Sequence, residues 1–160
     1  MRKTNDNNHI QVQEKRIWYN YISPERRDGK KPLIIFLHEG LGCSAQWKEI
    51  PEIICTAFNL SGLVYDRYGY GQSEAITEVK RSMDYIHREA FLCLPELLEK
   101  LDINEPLILF GHSDGGSIAL LFASKYVEKV KAVITEADHV FVESVTIEGI
   151  RGAISSFEKG

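Results

Sequence analysis

Nowhere in its 160 residues does the chain run apolar for the roughly 18 residues that a membrane span needs, so no transmembrane helix is expected. The opening stretch "MRKTNDNNHIQVQEKR" is polar and lacks the apolar core of a secretory signal, which leaves the cytoplasm as the expected compartment. Cysteine is scarce: Cys43, Cys55 and Cys93 are odd in number and widely spaced. That pattern suits neither a disulfide framework nor a metal knuckle, and the three read as core thiols. Positive charge is in deficit, 19 Lys and Arg against 23 Asp and Glu. A net charge of −4 offers no general attraction to polyanions, which argues against nucleic-acid or anionic-membrane partners. Internal repeats and low-complexity segments are absent, and the length suits one domain with a sizeable core.

What is present is an alternation of strands and helices. "HIQVQEKRIWYNYIS" alternates apolar and polar residues, which predicts one or two half-buried antiparallel strands, and "SPERRDGKKP" is a turn. "LIIFL" (33–37), "GLVY" (62–65), "LILF" (107–110) and "KAVIT" (131–135) are short apolar runs of the kind covered on both faces. Helical patterns fill residues 45–58, 81–100 and 114–126; in the second, Ile86, Ala90, Leu94, Leu97 and Leu98 share a face. Buried strands alternating with helices predict an α/β fold, a mostly parallel sheet with flanking helices. In the tail, Ile147, Ile150, Ala153, Ile154 and Phe157 fall on one face of a helix that Ser144 can cap.

The chemistry concentrates in "LILFGHSDGGSIALLF", residues 107–122. Gly-x-Ser-x-Gly alone is a frequent accident, but here an apolar strand precedes it and a helix follows. That context lifts a serine hydroxyl onto a strained strand-to-helix turn, where a Cβ at Gly111 or Gly115 would clash with neighbouring backbone. The plainer reading, a Gly-rich turn in a nucleotide-binding sheet, calls for Gly-x-Gly-x-x-Gly after the first strand, which is missing. Acyl transfer also needs two backbone N–H donors for the developing oxyanion. One comes from the residue after the nucleophile, Asp114; the other is expected from the loop "HEGLGCSAQW" after "LIIFL", with Gly40 the best donor and Leu41 the reserve. In "YDRYGYGQS" (65–73), Asp66 and Arg67 are expected to brace loops by hydrogen bonds and a charge pair, while Gly69 and Gly71 permit turning.

These three segments, in this order, resemble the α/β-hydrolase family. "HEGLG" is similar to its His-Gly oxyanion loop, "DRYGYGQS" to its Asp-x-Arg-Gly-x-Gly-x-Ser turn, and "GHSDGG" to its nucleophile elbow. Glu39 stands where the family usually has glycine, and Tyr68 interrupts the usual Arg-Gly pair. The resemblance runs from residue 10 onward. It implies a serine hydrolase acting on a small ester, thioester or amide, with Ser113 the nucleophile, Gly40 and Asp114 the donors, and neither metal nor cofactor. Cofactor-free haloperoxidase and carbon–carbon bond hydrolysis share the same constellation.

The family's triad runs Ser, then Asp or Glu, then His, and only residues 114–160 follow Ser113. The expectation is therefore a fold truncated before its last strands, with a core over residues 1–144 and the start of a lid over 145–160. Asp138 stands where some family members carry their acid. His139 beside it is a candidate base, but neighbours in an extended segment point to opposite sides, and a surface loop histidine is the plainer reading. His38 is expected to brace the oxyanion loop, His112 to pack beneath the turn, and His9 and His87 to lie on the surface. Trp47, Tyr68 and Phe141 read as packing residues in loops near a pocket. A truncated sheet would leave "KAVIT" as an open edge, so the expected partners are a small-molecule substrate and a covering chain, either a second copy or a separately encoded C-terminal chain. The competing reading is a non-catalytic binding or assembly module that uses that edge.

Overall fold

The computed structural model describes residues 8–22, 31–77, 81–138, 144, 147–149 and 151–152. Six strands form one sheet in the order β1-β2-β4-β3-β5-β6. β1 (His9–Val12) and β2 (Lys15–Ile22) make an antiparallel hairpin, and β2 runs antiparallel to β4 (Ser61–Tyr65). β3 (Leu33–Leu37) lies parallel between β4 and β5 (Leu107–His112), and β5 pairs in parallel with β6 (Val130–Glu136). The hairpin turn places Gln13 at φ 48° and Glu14 at φ 61°, two left-handed residues in succession, whose twist matches that of the strands they join.

The apolar runs are buried because successive side chains feed two cores. Leu33, Ile35 and Leu37 enter one core with Leu63, Tyr65, Leu107 and Leu109; Ile34, Phe36 and Val64 enter the other. All five residues of β3 are buried, and each large apolar side chain so removed from water contributes about 1.5–3 kcal/mol. α3 (Leu94–Lys100) and α4 (Asp114–Lys125) cover the first core through Leu94, Leu97, Leu98, Ile118 and Phe122. Trp47, ahead of α1 (Ile50–Phe58), and Cys55 within it close the second.

The remaining departures from the sequence reading have local causes. β6 is not covered on both faces: it lies at the edge of the sheet among the described residues, and Ile134 is 48% exposed. The helix expected over 45–58 is interrupted at Lys48, whose φ of 51° separates a short 3₁₀ turn (Ser44–Trp47) from α1. The helix expected over 81–100 starts at α2 (Tyr85–Arg88) and widens into a π-helical turn over Glu89–Cys93 before α3. Pro95 accounts for the widening, because it has no N–H to donate and its ring crowds the carbonyl four residues back. Ala90, Leu94, Leu97 and Leu98 are buried as expected, with Ile86 partly so. Of the tail helix, residues 144, 147–149 and 151–152 are helical; Ile150, Ala153, Ile154 and Phe157 lie outside the described residues. Among the described residues no helix is long and apolar enough to cross a membrane.

Candidate active site

Ser113 sits between the last residue of β5 and the first of α4, at φ 52° and ψ −117°. A β-carbon in that region costs on the order of 1–3 kcal/mol, so the turn persists only because its surroundings enforce it. The Ser113 amide donates to the Glu136 carbonyl of β6 at 2.8 Å, and its carbonyl accepts from the Gly116 and Ser117 amides. A Cβ on Gly115 would come within 1.9 Å of the Leu37 carbonyl oxygen, and one on Gly111 within 2.3 Å of the Gly115 oxygen. Both obstacles are backbone and cannot move aside, which is the clash expected from the sequence. Ser113 itself is half-buried rather than sealed beneath packed atoms.

The loop leaving β3 is held from beneath. His38 is buried; its Nδ1 lies 2.7 Å from the Glu39 carbonyl, while its Nε2 accepts the Arg67 amide at 3.1 Å. That pairing places the ring proton on Nδ1. Burial first, then the Arg67 guanidinium, lowers the His38 pKa to about 3, so the ring is a neutral brace. Arg67 donates to the Glu39 carbonyl at 2.6 Å and to the His38 carbonyl at 3.3 Å. A trans peptide sends its N–H opposite to its C=O, so these bonds turn the Gly40 N–H away from the buried His38–Arg67 pair. Tyr70 does the same one residue on: its hydroxyl donates to the Gly40 carbonyl at 2.7 Å and turns the Leu41 N–H outward. Leu41 is 94% exposed.

Loop and elbow meet at Asp114. A Cβ on Gly40 would lie 2.6 Å from Asp114 Oδ2, so a larger residue would have to push that carboxylate aside. The same oxygen accepts the Tyr85 hydroxyl at 2.7 Å and lies 3.6 Å from an Arg67 nitrogen. Arg67 thus makes its charge pair with Asp114 and bonds both loop carbonyls. Asp66 is buried, and its two oxygens take the amides of Ser44 and Gln72, each at 2.8 Å. Gly71, at φ 52°, leaves no room for a Cβ, which would fall 2.1 Å from Asp66 Oδ2.

A strand, a serine turn between two glycines and a helix, facing a glycine loop at the end of the neighbouring parallel strand, form the geometry on which known proteins can be compared. The family model for the alpha/beta hydrolase fold matches residues 32–151. The chain belongs to the α/β-hydrolase fold family. It is 29% identical over 117 residues to a proline iminopeptidase of Saccharolobus solfataricus, covering 73% of this chain and 36% of that protein. It is 27% identical over 134 residues to the alpha/beta hydrolase domain-containing protein WAV2 of Arabidopsis thaliana, covering 83% and 41%. Among solved structures, MGS-M2, an alpha/beta hydrolase enzyme from a Medee basin deep-sea metagenome library, superposes with a TM-score of 0.62 at 28% identity, covering 79% of this chain and 42% of that one. The chain therefore spans less than half the length of these relatives.

His112 stands edge-on to Trp47, ring centroids 6.5 Å apart, and Trp47 is buried against Phe36 and Phe110 as a packing residue. Tyr68 lies under the Lys15 ammonium, 4.7 Å from its ring centre. His9, half-buried, bonds the Gln72 carbonyl, and the exposed His87 packs on Phe91. His139 and Phe141 lie outside the described residues. Among the described residues no cluster of His, Cys, Asp and Glu could hold a metal ion. Tyr70, Tyr85 and Arg81 were not legible as site residues. Arg81 donates to the Tyr70 hydroxyl and, at 2.8 Å, to the Tyr68 carbonyl, and no spacing rule connects it to residue 40.

Proposed function

We propose that the chain is the nucleophile-bearing part of a serine hydrolase acting on a small ester, thioester or amide. The observation that carries the reading is Ser113 at φ 52°, on a turn whose flanking glycines have no room for a side chain. A binding module has no use for that strain. In the proposed reaction Ser113 Oγ gives its proton to a base and bonds the acyl carbon, while the leaving group departs with that proton. Water then attacks the acyl-enzyme and regenerates Ser113. The N–H of Asp114, with that of Gly40 or Leu41, receives the negative charge on the carbonyl oxygen. His38 is committed to Glu39 and Arg67 and is no candidate for the base. In this reading the base comes from outside the described residues.

The same reading places a second polypeptide segment, from another copy or from a separately encoded chain, along β6; the position of β6 at the edge of the sheet among the described residues supports it. Light scattering that finds a stable, soluble monomer would remove that part.

The test is labelling with a fluorophosphonate probe and turnover of a p-nitrophenyl ester by wild type and Ser113→Ala. Labelling confined to wild type supports the reading. Equal labelling of the two proteins would sink it. A ring- or carbon–carbon-cleaving activity dependent on Ser113, with no ester turnover, would move the reading to that chemistry.

A further inference from the structure

Between the β1–β2 hairpin, the end of β4 and the α2–α3 segment lies a cavity of about 340 Å³, which Ser113, Gly40 and Leu41 do not line. That size is within the range of small-ligand sites. Its inner wall is apolar, built by Val12, Ile17 and Leu97 of the first core together with Ile76.

Its charge is unusual for a chain with a net −4: the lining includes Lys15, Arg67, Arg81 and Arg88 against a single acid, Glu89. Arg67 is committed to the oxyanion loop and Asp114. The Arg81 guanidinium lies over the rings of Tyr70 and Tyr85, 4.5 and 4.9 Å from their centres, and is oriented in advance by its bonds to the Tyr70 hydroxyl and the Tyr68 carbonyl. Arg88 lines the cavity from an exposed position on α2. Glu89 is 7% exposed; the π-helical turn carries it, and Tyr65 donates to its carboxyl at 2.8 Å. Burial raises its pKa and favours the neutral form, so it opposes an anionic guest less than an ordinary carboxylate would.

We propose that this cavity binds a small monocarboxylate with an apolar tail, the carboxylate among Arg81, Arg88 and Lys15 and the tail against Ile17, Ile76 and Leu97. A cationic guest meets like charges at these residues, and a neutral one offers no counter-charge to Arg81 and Arg88; Lys15 already lies 3.4 Å from Glu74 Oε1. The guest belongs to the class that ester or amide hydrolysis releases, but the inference does not depend on the reading of Ser113.

The experiment is calorimetric titration of the whole chain with sodium butanoate, hexanoate and octanoate, alongside hexan-1-ol and hexylamine. Saturable binding of the carboxylates is expected, tightening by about fourfold per added CH₂ until the wall is filled. The alcohol and the amine should bind at least about tenfold more weakly. Arg88→Gln, at an exposed position, and Arg81→Gln should each weaken hexanoate by about tenfold, while Ser113→Ala leaves it unchanged. Absence of saturable binding at millimolar concentrations overturns the proposal, as does equal affinity for hexan-1-ol. So does loss of binding in Ser113→Ala with no effect of either arginine change, which would put the guest at the elbow.

Discussion

The Tyr70 hydroxyl holds the Gly40 carbonyl at 2.7 Å, across 30 residues of chain, and thereby sets the direction of the next N–H in the loop beside Ser113. Removing that hydroxyl frees a peptide plane without touching the core. Tyr70→Phe should fold normally and react with a fluorophosphonate about tenfold more slowly than wild type, the cost of one misaimed hydrogen bond. Labelling time courses, with circular dichroism to verify the fold, measure it; an unchanged rate would mean that the loop is held without Tyr70.

Gly115→Ala should be severely destabilising. Its methyl group would sit 1.9 Å from the Leu37 carbonyl oxygen, so β3 and α4 must separate. A loss of about 3 kcal/mol or more, a melting point lower by about 6–12 °C, is expected in a thermal scan.

His38 gives a pH signature. Between its ordinary 6.5 and about 3 the unfolded chain binds a proton that the folded chain refuses. Its contribution is therefore complete above about 6.5 and lost as pH falls through that window, a total on the order of 4 kcal/mol. Urea unfolding at about pH 7 and about pH 5 should show a steeper fall for wild type than for His38→Gln, by up to about 1.4 kcal/mol per pH unit. Equal slopes would mean that the buried ring is protonated in the folded state.

Asp66→Asn tests the brace under the "DRYGYGQS" turn. The carboxylate serves the amides of Ser44 and Gln72 with separate oxygens, and an amide can serve only one. A buried N–H loses its partner, at a cost of about 2–3 kcal/mol. Denaturant unfolding measures it, and Asp66→Ala should lose more.

What the sequence by itself determined was periodic or local. Strands such as "LIIFL" and "LILF" are legible because sheet residues alternate between two cores and both cores demand apolar side chains. The serine turn is legible because its glycines answer to backbone a few residues away and to the neighbouring strand. What only the tertiary structure decided lies between residues far apart in the chain. Arg67 reaching Asp114, Tyr70 reaching Gly40, Tyr65 reaching Glu89 and the chamber lined by Arg81 and Arg88 leave no period in the sequence. Nor does the exposure along β6, because "KAVIT" reads like the buried strands. Side-chain reach and sheet order are set when the elements pack, and no spacing along the chain encodes either.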